Sequence, residues 1–335
     1  MLQIVRASDS ADNFAQWYTD SVFSALDAHP IFGSFGRRYY PAVFEQTGSD
    51  ETFAVISGNT PLLLVPCAIS DGAFDYYGTP IRFFVRTDGS SELSHPATAL
   101  ALKHIDQIAR ARGINRVIIG DDNTLGALSV LGEECLGRNY VPSLRLSARA
   151  ELNEGETGLR RTLRKSYKSL LNWGRQNLAV EIVDSRNPNR AAFDLYKDLH
   201  REVAGRSTRP LGSWGVMFEW ISRGSGELIL ASYEGSLVAG TMVIDGATTA
   251  FYASGAYQRD NFDKPLTHWP LWLAMLHAYE RGMTYFDLGE IHLASAASPK
   301  EVNIGYFKRG FATSLVSWIA WTWNNTKDVR TEAVR

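Results

Sequence analysis

The chain has 335 residues, 45% of them hydrophobic and 12% aromatic, with a formal net charge of -2. That is enough length for two domains and enough apolar content for a sizeable core. The near-zero charge excludes a generic nucleic-acid coat but leaves room for a local basic patch.

Cys67 and Cys135 are the only cysteines. Two so far apart make neither a disulfide framework nor a zinc site, so both are expected as buried thiols. The opening MLQIVRASDSADNF lacks a basic start followed by an apolar run, so no signal peptide is expected. No uncharged apolar stretch reaches the roughly 18 residues of a membrane span. A soluble, cytoplasmic protein without a metal is the expectation.

The first half starts with a helical segment, DNFAQWYTDSVFSAL. A hairpin follows in TFAVISGNTPLLLVPCAIS, turning at Gly58, and then an aromatic strand, FDYYGTPIRFFV, interrupted by Gly78. Leu102, Ile105, Ile108 and Ala109 fall at helical spacing in Ala101–Arg112, and Gly113 suits the helix end. A β-branched strand then runs to Gly120. The joint SARAELNEGETG puts a domain boundary near residue 150, giving domains 1–150 and 151–325 and a polar tail, 326–335.

In the second half, Gly158 to Gln176 reads as one helix carrying Arg160, Arg161, Arg164, Lys165, Lys168 and Arg175 and no acid. At about 100° per residue the six cations share an arc of roughly 140°, with Leu159, Leu163, Tyr167 and Leu170 on the adjoining arc. Solvated helices ordinarily mix signs, so this face points to a polyanion or to an anionic membrane surface. A helix, AAFDLYKDLHREV, leads into Ala204–Gly215, read as a site-gating loop with Arg206, Arg209 and Trp214. Then come a hairpin turning at Gly235, an aromatic strand with Tyr252, Ser254 and Gly255, and an almost wholly apolar helix. Thr267 is its expected cap, Pro270 lies in its first turn and Gly282 ends it. The strand TYFDLGE follows, then a loop HLASAASPKEVN expected to close over substrate, the stretch GYFKRGF and a closing strand LVSWIAWTWNN.

The two halves repeat. Gly58 and Gly235, like Gly78 and Gly255, are 177 positions apart; Gly113 and Gly282, like Gly120 and Gly289, are 169 apart. Each half is therefore expected as β-β-β-α-β behind leading helices, a mixed α/β sheet with a parallel crossover.

This doubled order resembles the GNAT acyltransferase fold in tandem and, more narrowly, the Fem-type family. The resemblance rests on LRRTLRKSYKSLLNWGRQN, LVAGTMVIDGATTAFYASGAY, ERGMTYFDLGE and GYFKRGF, and is specific over about Gly158–Phe311. It implies two GNAT-like domains, the first a degenerate scaffold. It also implies transfer of an aminoacyl group from charged tRNA to an amine on a phosphate-bearing acceptor such as a peptidoglycan precursor. A CoA-dependent N-acyltransferase acting on an amino sugar or small amine is one alternative. A catalytically silent anion-binding module is another. No glycine stands between Gly255 and Gly282, where CoA-dependent relatives carry a phosphate-cradling turn, and Asp260 and Asp263 place negative charge there.

The Phe-Lys pair implicated at the Fem-type catalytic site matches Phe307–Lys308. Acyl transfer to an amine gathers charge on the carbonyl oxygen, which a cation in an aromatic, water-poor wall stabilises. Lys308 is the candidate, with Asn303, Tyr306 and Phe307 beside it as substrate-binding residues. A lysine snorkelling at a strand edge is the plainer alternative. Asp287 and Glu290, read as following an apolar strand where the chain leaves the sheet, would orient the amine. His292 is a further candidate base. Arg164, Lys165 and Lys168 would hold phosphates, and the resemblance implies that Tyr252 and Ser254 line the cleft.

Overall fold

The computed structural model describes residues 1–88, 91–122, 127–258, 263–292 and 297–324. The chain opens with β1 (Leu2–Arg6), α1 (Ala11–Trp17), a single turn α2 (Ala25–Ala28) and α3 (Ser34–Val43). Short strands β2 (Gly48–Asp50), β3 (Phe53–Ser57), β4 (Thr60–Val65), β5 (Ala68–Ser70), β6 (Ala73–Asp75) and β7 (Phe84–Val85) lead to α4 (Ser91–Ala111). Next are β8 (Arg116–Asp121), α5 (Val130–Gly137), β9 (Val141–Glu151), α6 (Gly155–Thr162) and α7 (Tyr167–Asn177). They are followed by β10 (Ala179–Val183), α8 (Arg190–Ala204), α9 (Leu211–Ser222), β11 (Gly226–Tyr233), β12 (Ser236–Asp245) and β13 (Thr249–Tyr257). The last elements are α10 (His268–Glu280), β14 (Tyr285–Ile291), α11 (Pro299–Arg309) and β15 (Ser314–Asn324).

Two compact units result. One comprises Met1–Leu26, Phe44–Arg145 and the chain from Ser317; the other comprises Asp27–Val43 and Leu146–Val316. A split at residue 150 would put Asp27–Val43 with the first unit, but its contacts lie in the second. The backbone carbonyls of Asp27 and Ala28 accept hydrogen bonds from Ala247 and Thr248, in the turn between β12 and β13.

In the first unit β1, β3, β4 and β7 form one antiparallel sheet. A second runs β15-β8-β6-β5-β2, with β6 and β8 parallel. The parallel pair requires a crossover, supplied by α4, whose Leu102, Ile105 and Ala109 are buried with Phe53, Leu63 and Ile119. Both cysteines are buried, and burial pushes both thiols up.

In the second unit the order is β10-β11-β12-β13-β14-β9, antiparallel except for β13 with β14. Gly235 turns its hairpin at φ +80°, as Gly58 turns the other at +59°. Helices cover both faces. Ile229 and Val243 pack with Leu271, Trp272 and Met275 of α10. Leu228, Leu230, Met242 and Ile244 pack with Phe193 and Tyr196 of α8 and Met217 and Ile221 of α9. A sheet buried on both sides needs apolar residues on both faces, which is why LILA, Leu228 to Ala231, reads as a continuous apolar run.

Five local expectations are corrected. FDYYGTPIRFFV is not one strand: it gives the end of β6 and, after Gly78 at φ +84°, β7 in the other sheet. DNFAQWYTDSVFSAL is not one helix but α1, a single 3-10 turn at Ser21–Phe23 and the start of α2. The basic stretch is two helices, α6 and α7, broken at Leu163, whose ψ of 130° is extended. The Arg164 N–H then bonds the Gly310 carbonyl rather than continuing the helix. Leu211–Gly215 is the start of α9 and not loop, with Gly205 closing α8 in a left-handed conformation. Thr267 stands before α10 but its side chain makes no capping bond.

Candidate functional site: the parting of two strands

β13 and β14 pair only from Thr249–Phe251 to Tyr285–Asp287, although β13 continues to Tyr257 and β14 to Ile291. The sheet therefore opens beyond Phe251 and Asp287. At that point β14 carries a register shift against β9 between Asp287 and Gly289, and Gly289 has φ +85°. A bulge of this kind bends a strand and re-aims its side chains.

Asp287 and Glu290 are thus inside a strand and not beyond its end. Asp287 Oδ1 accepts from the Gly289 N–H at 2.6 Å and Oδ2 pairs with His29 Nε2 at 2.9 Å. Burial raises the Asp287 pKa, but His29, the Gly289 N–H and the Lys308 charge outweigh it and hold the carboxyl below its ordinary value.

Lys308 is in the last turn of α11, not on a strand edge. A capping box of Ser298 and Glu301 starts this helix. Of the loop expected to close over substrate, Pro299–Asn303 is therefore helical, and residues 293–296 lie outside the described chain. Lys308 Nζ donates to the Glu290 carbonyl at 3.1 Å. Its burial lowers the ammonium pKa, against the opposing pull of Asp287 and Glu290.

The turn bearing Lys308 rests on an aromatic floor. Tyr167 Oη donates to the Phe307 carbonyl at 3.2 Å and accepts from Arg164 Nη1 at 2.8 Å. The rings of Tyr167, His268, Phe307 and Phe311 pack together, and burial lowers the His268 pKa to about 4. Gly310 admits Tyr167, since a Cβ there would overlap its ring. The Arg164 guanidinium lies 3.6 Å from the centroid of the exposed Tyr306 ring.

The structure thus groups Lys308, Asp287, Glu290, Phe307, Tyr306 and Arg164. Lys165 and Lys168 are exposed close by in sequence, and Asn303 is exposed on α11. Arg160 and Arg161 are neutralised by Glu156 and Glu154, acids just ahead of the stretch read as acid-free. Tyr252 packs against the same core as Phe307. The others belong to a separate cluster. Trp214 is buried against Phe193 and Tyr196, Arg209 lies over its ring, and Ser254 bonds Tyr196 Oη at 2.8 Å. Arg209, Lys197, His200, Arg201 and Trp214 line a cavity of about 60 Å³ there, and Arg206 is an exposed residue of the adjoining loop. His292 is 3.9 Å from both Glu290 and Glu301, with 41% of its side chain open.

His29 escaped the sequence reading. It lies 258 positions from its partner in an unremarkable turn, AHPIFG, and no local pattern marks it. Among the described residues no group of three or more His, Cys, Asp or Glu could hold a metal, and no helix is long and apolar enough to cross a membrane.

Residues 158–297 match the Acetyltransferase (GNAT) domain family. The chain carries a GNAT acetyltransferase domain. The chain is an acyltransferase. FemX superposes on it with a TM-score of 0.63 at 12% identity, over 89% of this chain and 94% of FemX. A tandem GNAT protein from the clavulanic acid biosynthesis pathway gives 0.58 at 15% identity, over 97% and 98%. L-PGS from Bacillus licheniformis gives 0.55 at 14%, over 87% and 93%. At these identities the likeness is one of fold, and that fold is the tandem GNAT arrangement. The sequence has no significant match among curated proteins.

Proposed function

We propose that this acyltransferase moves an aminoacyl group from charged tRNA onto an amine of a phosphate-bearing acceptor. The observation carrying the proposal is Lys308: a half-buried ammonium beside an ionised carboxylate, set on an aromatic floor where two strands part. The acceptor amine attacks the ester carbonyl carbon. The carbonyl electron pair moves to oxygen, where Lys308 Nζ–H meets it, and the C–O bond to the tRNA ribose breaks as the tetrahedral centre collapses, the proton lost by the amine passing to the departing ribose oxygen. Both oxygens of Asp287 already hold protein donors, so its part is to fix the field at Lys308. We assign orientation of the amine to Glu290, 32% of whose side chain is open. Arg164, Lys165 and Lys168 supply the phosphate contacts.

The start of α10 supports a donor other than CoA in the position usual for this fold. Pro270 removes one N–H donor from its first turn and the His268 N–H turns to the Pro265 carbonyl. His268 is packed by Tyr167 and Phe307, and Gly174 of α7 approaches Trp269. Little remains for a pyrophosphate.

Thermal-shift titrations with CoA, acetyl-CoA and total charged tRNA separate the readings, because a ligand of the native state raises the melting temperature. A salt-sensitive shift with charged tRNA and none with CoA is expected. A saturable CoA shift would instead establish the small-molecule acyltransferase. Lys308→Ala should retain tRNA binding and lose about 10²–10³-fold in turnover; unchanged turnover would remove Lys308 from the catalytic step.

A further inference from the structure

The segment Asp27–Val43 comes from the first half of the sequence yet is built into the GNAT unit. Its start is tied to the β12–β13 turn through the Asp27 and Ala28 carbonyls. Asp27 Oδ1 also accepts from the Ser34 N–H at 3.0 Å, closing the turn on itself. Further on, Arg38 makes a two-pronged contact with Glu219 of α9, and the Phe35 ring meets Trp220 edge-on. Between these anchors His29 is laid against the Phe251 ring, with centroids 5.1 Å apart, where β13 and β14 part.

Both imidazole nitrogens are engaged. The Ile31 backbone N–H donates to Nδ1 at 3.2 Å, and an N–H can only be accepted by a nitrogen that carries no proton. The hydrogen of the neutral ring is therefore on Nε2, the atom 2.9 Å from Asp287 Oδ2. The ring is a donor to the carboxylate and is not available to take a proton from substrate. The other groups facing Asp287 are the Gly289 N–H of its own strand and Lys308 of α11. Arg149, its cross-strand neighbour on β9, is turned away onto the Tyr285 ring, 4.3 Å from the centroid.

We propose that His29 is a positioning residue: locked as the Nε2–H tautomer by Ile31, it holds the Asp287 carboxylate in place as the counter-charge of Lys308. Its bearing on acyl transfer rests on the reading above. The relationship itself does not, and it is tested without substrate.

Selective isotope labelling of histidine and aspartate gives two readouts. In two-bond proton–nitrogen spectra of the wild-type protein at neutral pH, His29 should carry its proton on Nε2; a proton on Nδ1 overturns the proposal. In a carbon-detected titration of the aspartate carboxyls, with the Asp287 signal assigned by its loss in Asp287→Asn, two substitutions separate the two ring contacts. Asn at 29 can accept from Ile31 but is too short to reach Asp287, and Gln can still donate to it. His29→Asn should raise the Asp287 midpoint by about one unit or more, since burial then goes less opposed. His29→Gln should bring it back toward the wild-type value. An Asp287 midpoint unmoved in a folded His29→Asn protein sinks the proposal. If that variant does not fold, the wild-type tautomer and the Gln midpoint decide. Loss of turnover in Lys308→Ala is a separate experiment, so failure of the catalytic reading and failure of the His29 assignment cannot be mistaken for one another.

Discussion

The Lys308 ammonium occupies the ground that a side chain on Gly289 would need. A Cβ built on Gly289 would lie 3.1 Å from Nζ, and the backbone there is at φ +85°, which L side chains rarely adopt. Gly289→Ala therefore carries two effects that should separate. Strain of about 1–3 kcal/mol appears as lost stability in a denaturant titration. Displacement of Lys308 appears as lost turnover in the folded variant. Full turnover in a folded Gly289→Ala enzyme would show that catalysis does not depend on Lys308 holding this position.

Gly310→Ala acts on the floor beneath the lysine. The new methyl overlaps the Tyr167 ring, and Tyr167 links Arg164 to the Phe307 carbonyl. Overpacking of this kind costs about 1–3 kcal/mol. Tyr167→Phe keeps the ring and removes only the hydroxyl, so about 1 kcal/mol is expected from its two hydrogen bonds. Comparing the two melting curves distinguishes ring displacement from loss of the bridge.

The cations of the α6–α7 region should not be equivalent. Arg160 and Arg161 are paired with Glu156 and Glu154, whereas Lys165 and Lys168 stand exposed. Lys165→Ala with Lys168→Ala should reduce the salt-dependence slope of tRNA binding by about 2. Arg160→Gln with Arg161→Gln should leave it nearly unchanged. Equal effects from the two pairs would remove the basis for assigning phosphate contacts to Lys165 and Lys168.

A buried charge network predicts a pH-dependent stability. Arg281 contacts Asp245 and Glu227, and Glu227 also holds His277 Nδ1 at 2.8 Å. The hydrogen bond to Glu227 raises the His277 pKa above its ordinary value. The folded state thus binds that proton more tightly than the unfolded state. The stabilisation is complete below about pH 6.5 and is lost as pH rises through the raised folded value, with a slope of at most about 1.4 kcal/mol per pH unit. Asp245, raised chiefly by burial, acts in the same sense at lower pH. Urea titrations from pH 6 to 9 should show the decline in the wild type and a flatter profile in His277→Gln.

Much of the fold was legible because it is written in local terms. Glycines at turns and helix ends recur at matched offsets, and apolar runs mark sheet strands whose two faces both need covering. The helical break at Leu163 was not legible, because the competing partner of the Arg164 N–H is Gly310, remote in sequence. Trp214 looked like a loop residue for a similar reason: its burial depends on rings from α8 that no nearby pattern announces.

The amino-acid sequence by itself determined the β-β-β-α-β order of the second half, β11-β12-β13-α10-β14, and the Phe307–Lys308 motif, since periodicity, turn chemistry and residue type act over a few neighbours; in the first half the aromatic stretch divides into β6 and β7, which join different sheets. Only the tertiary structure decided what surrounds Lys308. The parting of β13 from β14, the bulge at Gly289 and the return of His29 to Asp287 join residues up to 258 positions apart. Such contacts come from packing across the fold, and a chain read one window at a time contains no record of them.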